Sequence, residues 1–249
     1  MDYTIKIGGE AGQGIQTIGD TLARVFSRSG YHVFTHQDYE SRIRGGHNFF
    51  QIRFSDKPVM SSRIKIDILV ALDKESITLH EKELSDKGRI IYDSSALKLK
   101  HENQRFLDIP FVNLAVEHGG SKIMANAVAT GAVLGMLGME LGILLGIIKD
   151  TFGKKGEDTI KANVNAAVAG HDFSVKQCIT CSFPAAPLAK PRMLIAGIDS
   201  IGLGAVASGC KFYSAYPMTP STGIMNYIAG KGEEYGIIVE QAEDEIAAI

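Results

Sequence analysis

The spacing of hydrophobic positions changes period repeatedly along the chain, and each change marks an element. Tyr3 to Ile7 (YTIKI) predicts a short strand and Gly8 to Gly14 a glycine-rich turn. Ile15, Ile18, Leu22, Val25 and Phe26 recur at helical spacing within Ile15 to Ser29. Tyr31 to Thr35 and Phe49 to Phe54 (FFQIRF) predict a second and a third strand. Ile66 to Leu72 (IDILVAL) is a nearly continuous apolar run, as expected of a strand buried on both faces. A polar helix is expected from Lys74 to Glu83, then a strand from Arg89 to Tyr92. This alternation predicts an α/β fold with a mostly parallel, doubly wound sheet.

Helices dominate from Ser121 to Ala169. Within them, Ile123 to Ile148 carries Glu140 as its only charge, so the stretch is a membrane-span candidate. Its uncharged part, Ile123 to Met139, is 17 residues, marginal for a span. A longer span would place Glu140 in the apolar layer, which is costly. The stretch instead reads as two buried helices broken at Gly138–Glu140, with Gly131, Gly135, Gly142 and Gly146 allowing close packing.

Lys176 to Arg192 (KQCITCSFPAAPLAKPR) holds three prolines and has no period, as a linker would. Alternation then resumes. A helix of small residues is expected at Ile198 to Ser208, a strand at Lys211 to Tyr216, a helix at Thr222 to Glu234 and a strand at Ile237 to Gln241. Glu243 to Ile249 starts another helix. The predicted organisation is a domain over 1–172, a linker over 173–192 and a second α/β segment over 193–249. The last segment, 57 residues, cannot bury much core by itself. It reads as the opening of a domain whose remainder lies further along or on a partner chain.

Composition narrows the function classes. The chain of 249 residues has a net charge of −2, so it offers no basic field for nucleic acid. Its start lacks a basic region followed by an apolar stretch, the mark of a secretory signal. Three cysteines, an odd number, speak against a disulfide framework and for a reducing, cytoplasmic setting. The pair Cys178 and Cys181 forms a single CxxC without further ligands, and is read as incidental thiols with no metal site.

Four motifs carry candidate chemistry. GGEAGQGI, Gly8 to Ile15, lies between a strand and a helix, where backbone N–H groups can cradle a phosphate. Gly12 and Gly14 satisfy half of the dinucleotide fingerprint, but its third glycine is replaced by Thr17. SRIRGGHNFF, Ser41 to Phe50, sets Arg42 and Arg44 beside a glycine pair as an anion clamp. AYPMTPSTG, Ala215 to Gly223, breaks a strand with two prolines that flank Thr219 and fix the backbone around its hydroxyl. Ser221 or Thr222 can cap the helix that follows. Finally, Glu240, Glu243, Asp244 and Glu245 crowd a strand end, more acids than a helix cap requires.

Taken together, these segments resemble the alpha subunit of 2-oxoacid:ferredoxin oxidoreductases in the form where a gamma domain precedes the alpha domain. GGEAGQGI, SRIRGGHNFFQIRFS, IDILVALD and MANAVATGAVLG are similar to the gamma part. GIDSIGLGAVASGCKFYSAYPMTPST and EQAEDEIAA are similar to the start of the thiamine-pyrimidine part. The resemblance implies oxidation of a 2-oxoacid, of the 2-oxoglutarate type, with coenzyme A to acyl-CoA, carbon dioxide and reduced ferredoxin. It implies thiamine diphosphate with Mg²⁺ and iron–sulfur clusters, largely on partner subunits of a hetero-oligomer. By position, Thr219 would face the oxoacid and Glu245 would bond the aminopyrimidine ring of thiamine. Gly12, Gln13, Gly14 and Arg44 would contribute to the coenzyme A side.

Met218 stands where the family loop has isoleucine, a tolerable exchange in volume. Gly197-Ile198 replaces the usual Gly-Asn. The resemblance also implies that this chain is inert without its partner beta subunit and the rest of the alpha domain. Two other classes compete with it: a Rossmann-type NAD- or FAD-binding oxidoreductase, and a non-enzymatic module that binds coenzyme A or docks a partner.

Overall fold

Strand β1 (Asp2–Glu10) runs through a glycine turn into helix α1 (Ile15–Arg28), and this pair organises everything before residue 194. The computed structural model describes residues 1–39, 46–177, 183–188 and 190–249. It divides into two units, Met1–Met193 and Leu194–Ile249. In the first, α1 is followed by β2 (His32–Tyr39), β3 (His47–Ser55), β4 (Ile66–Ala71), α2 (Lys74–His80), β5 (Leu84–Tyr92), α3 (Ser94–Leu97) and β6 (Phe106–Asp108). Helices α4 (Phe111–Gly119), α5 (Ala125–Met136), α6 (Gly142–Phe152) and α7 (Glu157–Gln177) complete it.

The six strands lie in the order β2-β3-β1-β4-β5-β6. β1, β4, β5 and β6 pair in parallel, while β3 runs against both β1 and β2. Five strands therefore share one direction, and the fold is α/β with a mostly parallel sheet. The exception has a simple cause: only residues 40–46 separate β2 from β3, too few for a parallel crossover.

Side-chain alternation sends the sheet's apolar groups to two cores. Ile5, Ile7, Phe50, Ile52, Ile68 and Val70 meet α1 and the helices from α4 onward on one face. Leu69, Ala71, Ile90 and Tyr92 meet Ile77 of α2 on the other. Every residue of β4 is buried, as its continuous apolar pattern requires. Phe26 of α1 stacks on Phe54 of β3 with ring centroids 4.0 Å apart. Burying each such large side chain contributes roughly 1.5–3 kcal/mol.

The apolar stretch from Ile123 to Ile148 is two helices, α5 and α6, separated at Gly138 with φ +64°. No helix among the described residues is long and apolar enough to cross a membrane. Of the four glycines expected to permit close packing, two do so. A Cβ on Gly131 or Gly135 would run into backbone carbonyls of Ala167 or His171 in α7, whereas Gly142 and Gly146 face open space. Gly170 of α7 returns the contact against Val128 of α5.

The segment expected as a linker is partly ordered against the first unit. α7 continues to Gln177, and Phe183 packs edge-on against Tyr3 at 5.6 Å. The Leu188 and Arg192 N–H groups donate to the carbonyls of Ser29 and Ser27. Both carbonyls lie at the α1 terminus, and that of Ser27 also accepts from the Gly30 N–H at 3.0 Å. Cys178 and Cys181 lie outside the described residues.

The second unit holds α8 (Gly197–Ala207), β7 (Phe212–Ala215), α9 (Thr222–Ala229), α10 (Gly232–Tyr235) and β8 (Ile238–Gln241). β7 and β8 pair in parallel as a single βαβ crossover. The helix expected over Thr222 to Glu234 is split between α9 and α10. The helix expected from Glu243 forms turns instead, with the Ala247 N–H donating to Asp244 Oδ1 at 2.7 Å.

Candidate functional site

The glycine loop owes its shape to backbone geometry. Gly12 and Gly14 adopt φ of +93° and +86°, a region that side-chain-bearing residues avoid. Between them Gln13 closes the loop on itself. Its Oε1 accepts from the Glu10 N–H at 2.8 Å, and its own N–H donates to the Glu10 carbonyl. Gly14 is doubly constrained, since a Cβ there would overlap the Asn126 side chain of α5. It is also the N-cap of α1, supplies no capping side chain, and no acid follows in the first turn. The N–H groups of Ile15, Gln16 and Thr17 thus lack helical partners and sit at the positive end of α1. A cavity of about 620 Å³ borders these residues, with Gln37 and Asn48 on its far wall. Arg44, the fourth residue expected here, lies outside the described residues, as does Arg42.

A larger cavity of about 810 Å³ opens at the carboxyl ends of β1, β4 and β5 and shares Gly12 and Gln13 with the loop. β1 leads to β2 and β3 on one side, and the chain resumes at β4 on the other. The cavity therefore occupies the switch point where α/β sheets take ligands. Its charged lining is Lys74 and Lys122 against Glu10, Asp73, Glu75 and Asp93. Both aspartates serve the helices that follow their strands. Asp93 accepts from the N–H groups of Ala96 and Val112 at 2.9 and 3.0 Å. Asp73 Oδ1 accepts from the Ser76 N–H at 2.7 Å and from its hydroxyl at 2.6 Å. Sequence reasoning passed over these residues. The available signal was an aspartate directly after a buried strand and three residues before a serine.

A second group also went unread. Lys6, on β1, points to the α2 face and keeps only 5% of its side chain exposed. Its Nζ reaches Glu83 Oε2 at 2.5 Å and His80 Nδ1 at 3.3 Å, and lies 4.3 Å from the Phe49 ring centroid. His80 Nε2 meets His47 Nε2 at 2.7 Å. Burial and then the Lys6 charge hold His80 below the ordinary imidazole range. Burial pushes the Glu83 carboxyl up, but Lys6 and His80 outweigh it and hold it below the usual carboxylate range. A lysine between two isoleucines reads as the polar face of a half-exposed strand. Only the packing of α2 buries it.

In the second unit, the parallel pairing of β7 and β8 brings two expected residues to one edge. Ala215 is level with Gln241, and the Ala242 N–H donates to the Ala215 carbonyl at 3.0 Å. Thr219 follows β7 by four positions and Glu245 follows β8 by four, so both stand in loops at the carboxyl end of neighbouring strands. Both are exposed, and neither side chain is engaged with another among the described residues. The peptide bond between Thr219 and Pro220 is cis. Ser221 occupies the N-cap of α9 but does not cap it. Its hydroxyl turns back to donate to the Met218 carbonyl at 2.7 Å.

The fold is an α/β unit with cavities at its strand ends, followed in the chain by a second α/β unit. Residues 4–173 match the model of the pyruvate ferredoxin/flavodoxin oxidoreductase family. Residues 203–249 match that of the pyruvate flavodoxin/ferredoxin oxidoreductase thiamine diphosphate-binding region. The chain belongs to the pyruvate ferredoxin/flavodoxin oxidoreductase family. The alpha subunit of a 2-oxoacid:ferredoxin oxidoreductase from Saccharolobus solfataricus is 24% identical over the whole chain, which covers 47% of that subunit. A 2-oxoglutarate:ferredoxin oxidoreductase from Magnetococcus marinus, solved with 2-oxoglutarate, coenzyme A and succinyl-CoA bound, superposes with a TM-score of 0.87. It is 29% identical, and the match covers 99% of this chain and 44% of that one. The gamma subunit of a keto/oxoacid ferredoxin oxidoreductase from Geobacter sulfurreducens shares the fold over 71% of this chain and 98% of its own, with a TM-score of 0.60 and 24% identity. The chain spans about half the length of the alpha subunits it matches.

Proposed function

We propose that this chain works as the gamma-plus-alpha part of a 2-oxoacid:ferredoxin oxidoreductase, oxidising a 2-oxoacid of the 2-oxoglutarate type with coenzyme A. One observation carries the reading: similarity to such alpha subunits runs through the whole chain, across both units in the same order. Residues 1–172 are the coenzyme A side, where Gly12, Gln13 and Gly14 shape a loop at the uncapped start of α1, with Arg44 as the anion-binding partner in sequence. Residues 193–249 begin the thiamine-facing domain. Bound thiamine diphosphate supplies a carbon nucleophile that becomes an electron sink after decarboxylation.

The chain's own residues bind and orient. The Thr219 hydroxyl donates a hydrogen bond to the oxoacid, and the Glu245 carboxylate holds a proton at the aminopyrimidine ring. A beta subunit would hold the diphosphate and Mg²⁺, and iron–sulfur clusters in the complex would supply the electron path to ferredoxin.

Co-expression of the chain, continued by the rest of an alpha domain, with a beta subunit, followed by coenzyme A-dependent reduction of a viologen dye, tests this. We expect 2-oxoglutarate to outpace pyruvate and 2-oxoisovalerate, and Glu245→Gln to lower the rate about 100-fold or more, the range of a lost acid–base group. Stabilisation by NADH but not by coenzyme A would replace this reading with a dinucleotide-dependent one.

A further inference from the structure

A third cavity, of about 300 Å³, opens among four helices of the first unit. Leu144, Ile148 and Phe152 of α6 line it, as do Thr159, Asn163 and Ala167 of α7. Each set is spaced four apart and so shares one face of its helix. Residues of α1 and α5 close the cleft. The α6 wall is apolar, but the α7 wall carries Asn163, which is 8% exposed. Its Nδ2 donates to the Thr159 carbonyl at 2.8 Å, which fixes the orientation of the amide. Its Oδ1 accepts from no described residue, yet it is not sealed from solvent as the lone hydroxyl oxygens of Thr4 and Ser174 are. On α5, the Thr130 hydroxyl commits its proton to the Asn126 carbonyl at 2.7 Å, so its oxygen too can only accept. Lys155 is the one charged residue of the described lining, and it is exposed.

We propose that this cleft binds a small neutral molecule with an apolar body and one hydrogen-bond donor, an alcohol or an amide, and that the donor bonds Asn163 Oδ1. Contact with Leu144, Ile148 and Phe152 supplies the affinity, and the single buried oxygen sets the orientation, as is usual in ligand cavities. Both signs of charge are disfavoured. An ammonium group meets a lysine here and no carboxylate. A carboxylate meets acceptor oxygens, and its one attraction is the exposed Lys155, where pairing in water is worth little. None of Gly12, Gln13 and Gly14 lines the cleft, so the site does not depend on the coenzyme A reading above.

Four probes of one shape and different head groups test this: 2-phenylethanol, ethylbenzene, phenylacetate and 2-phenylethylammonium. Each is titrated into the 249-residue chain and followed by amide chemical shifts. We expect the alcohol to bind tightest. Asn163→Leu should weaken the alcohol about fivefold, the size of one neutral hydrogen bond, and leave ethylbenzene unchanged. That exchange also removes the bond to Thr159, so a second variant leaves the hydrogen bonds alone. Ala127 lines the cleft and is only partly buried. Ala127→Leu should fill the space and abolish binding of the alcohol, while the melting temperature of the free protein holds. Equal affinities for the alcohol and ethylbenzene would overturn the proposal, since the oxygen would then recognise nothing. Tightest binding of phenylacetate would overturn it in favour of an anion site at Lys155. Alcohol binding that survives Ala127→Leu, or no saturable binding of the alcohol at all, would also overturn it. Displacement of the alcohol by coenzyme A would refute a separate site.

Discussion

Strands β4 and β8 are both short and paired in parallel, yet they live under opposite conditions. All six residues of β4 are buried between two helical layers and two neighbouring strands. β8 has one neighbour, Ile238 is 66% exposed, and Phe212 on β7 is 61% exposed. Parallel strands are stable when both faces and both edges are covered. A parallel pairing therefore lies inside a buried core in the first unit and leaves Phe212 and Ile238 exposed in the second. Strand formation is local, but strand stability is a property of the neighbours.

The most drastic way to break this comparison is to separate the units. Residues 1–193 alone should unfold cooperatively and keep the far-ultraviolet circular dichroism of an α/β protein. Residues 194–249 alone, 56 residues on a two-stranded sheet, should show no cooperative transition. A sharp melt from the isolated second unit would mean that its exposed apolar residues are not an unfinished core.

Charge pairs sharpen the contrast. Glu83→Gln leaves Lys6 buried with a weaker partner and should cost about 2 kcal/mol in denaturant titrations, less than the roughly 3–5 kcal/mol of a fully buried pair, because Glu83 keeps some contact with water. Glu234→Gln removes the exposed pair with Lys231 in the second unit and should leave the melting profile unchanged. The same cluster sets a pH dependence. His80 and Glu83 are both held below their ordinary values, so the unfolded chain binds protons more readily than the folded one. Their stabilisation is complete above about pH 6.5. It declines as acidification protonates unfolded His80, and declines again below about pH 4.5 as Glu83 follows. Denaturant midpoints at pH 7, 5.5 and 4 should fall in that order, and Glu83→Gln should flatten the lower step.

The smallest effect is the most direct comparison of strands. Ile238→Thr, on an exposed position of β8, should change stability by no more than about 0.5 kcal/mol. A loss of several times that would show that β8 is covered in solution.

Much of this molecule was legible one segment at a time. The helical spacing of Ile15, Ile18, Leu22, Val25 and Phe26 placed α1, the unbroken run from Ile66 placed β4, and Gly138 marked the break between α5 and α6. These signals are local, fixed by backbone geometry and by which side chains shun water. The glycine loop and the Thr-Pro loop were found for the same reason, since each is written in consecutive residues. The reversed direction of β3 is also implied by a short connection, once the pairing of β2 with β3 is known. The helix expected from Glu243 failed because propensity over seven residues is weak without a surface to pack on.

What only the tertiary structure decided is which distant residues share a space. Lys6 lies more than seventy positions from His80 and Glu83 and meets them because α2 packs over β1. Gly131 and Gly170 are spacers only because α5 and α7 cross at those turns, while Gly142 and Gly146, identical in sequence terms, touch nothing. Sequence alone determined the elements, the α/β class and the loops at strand ends, because those follow from short-range periodicity and backbone preference. Burial and charge pairing were decided in three dimensions, because solvation depends on everything nearby, however far away it lies along the chain.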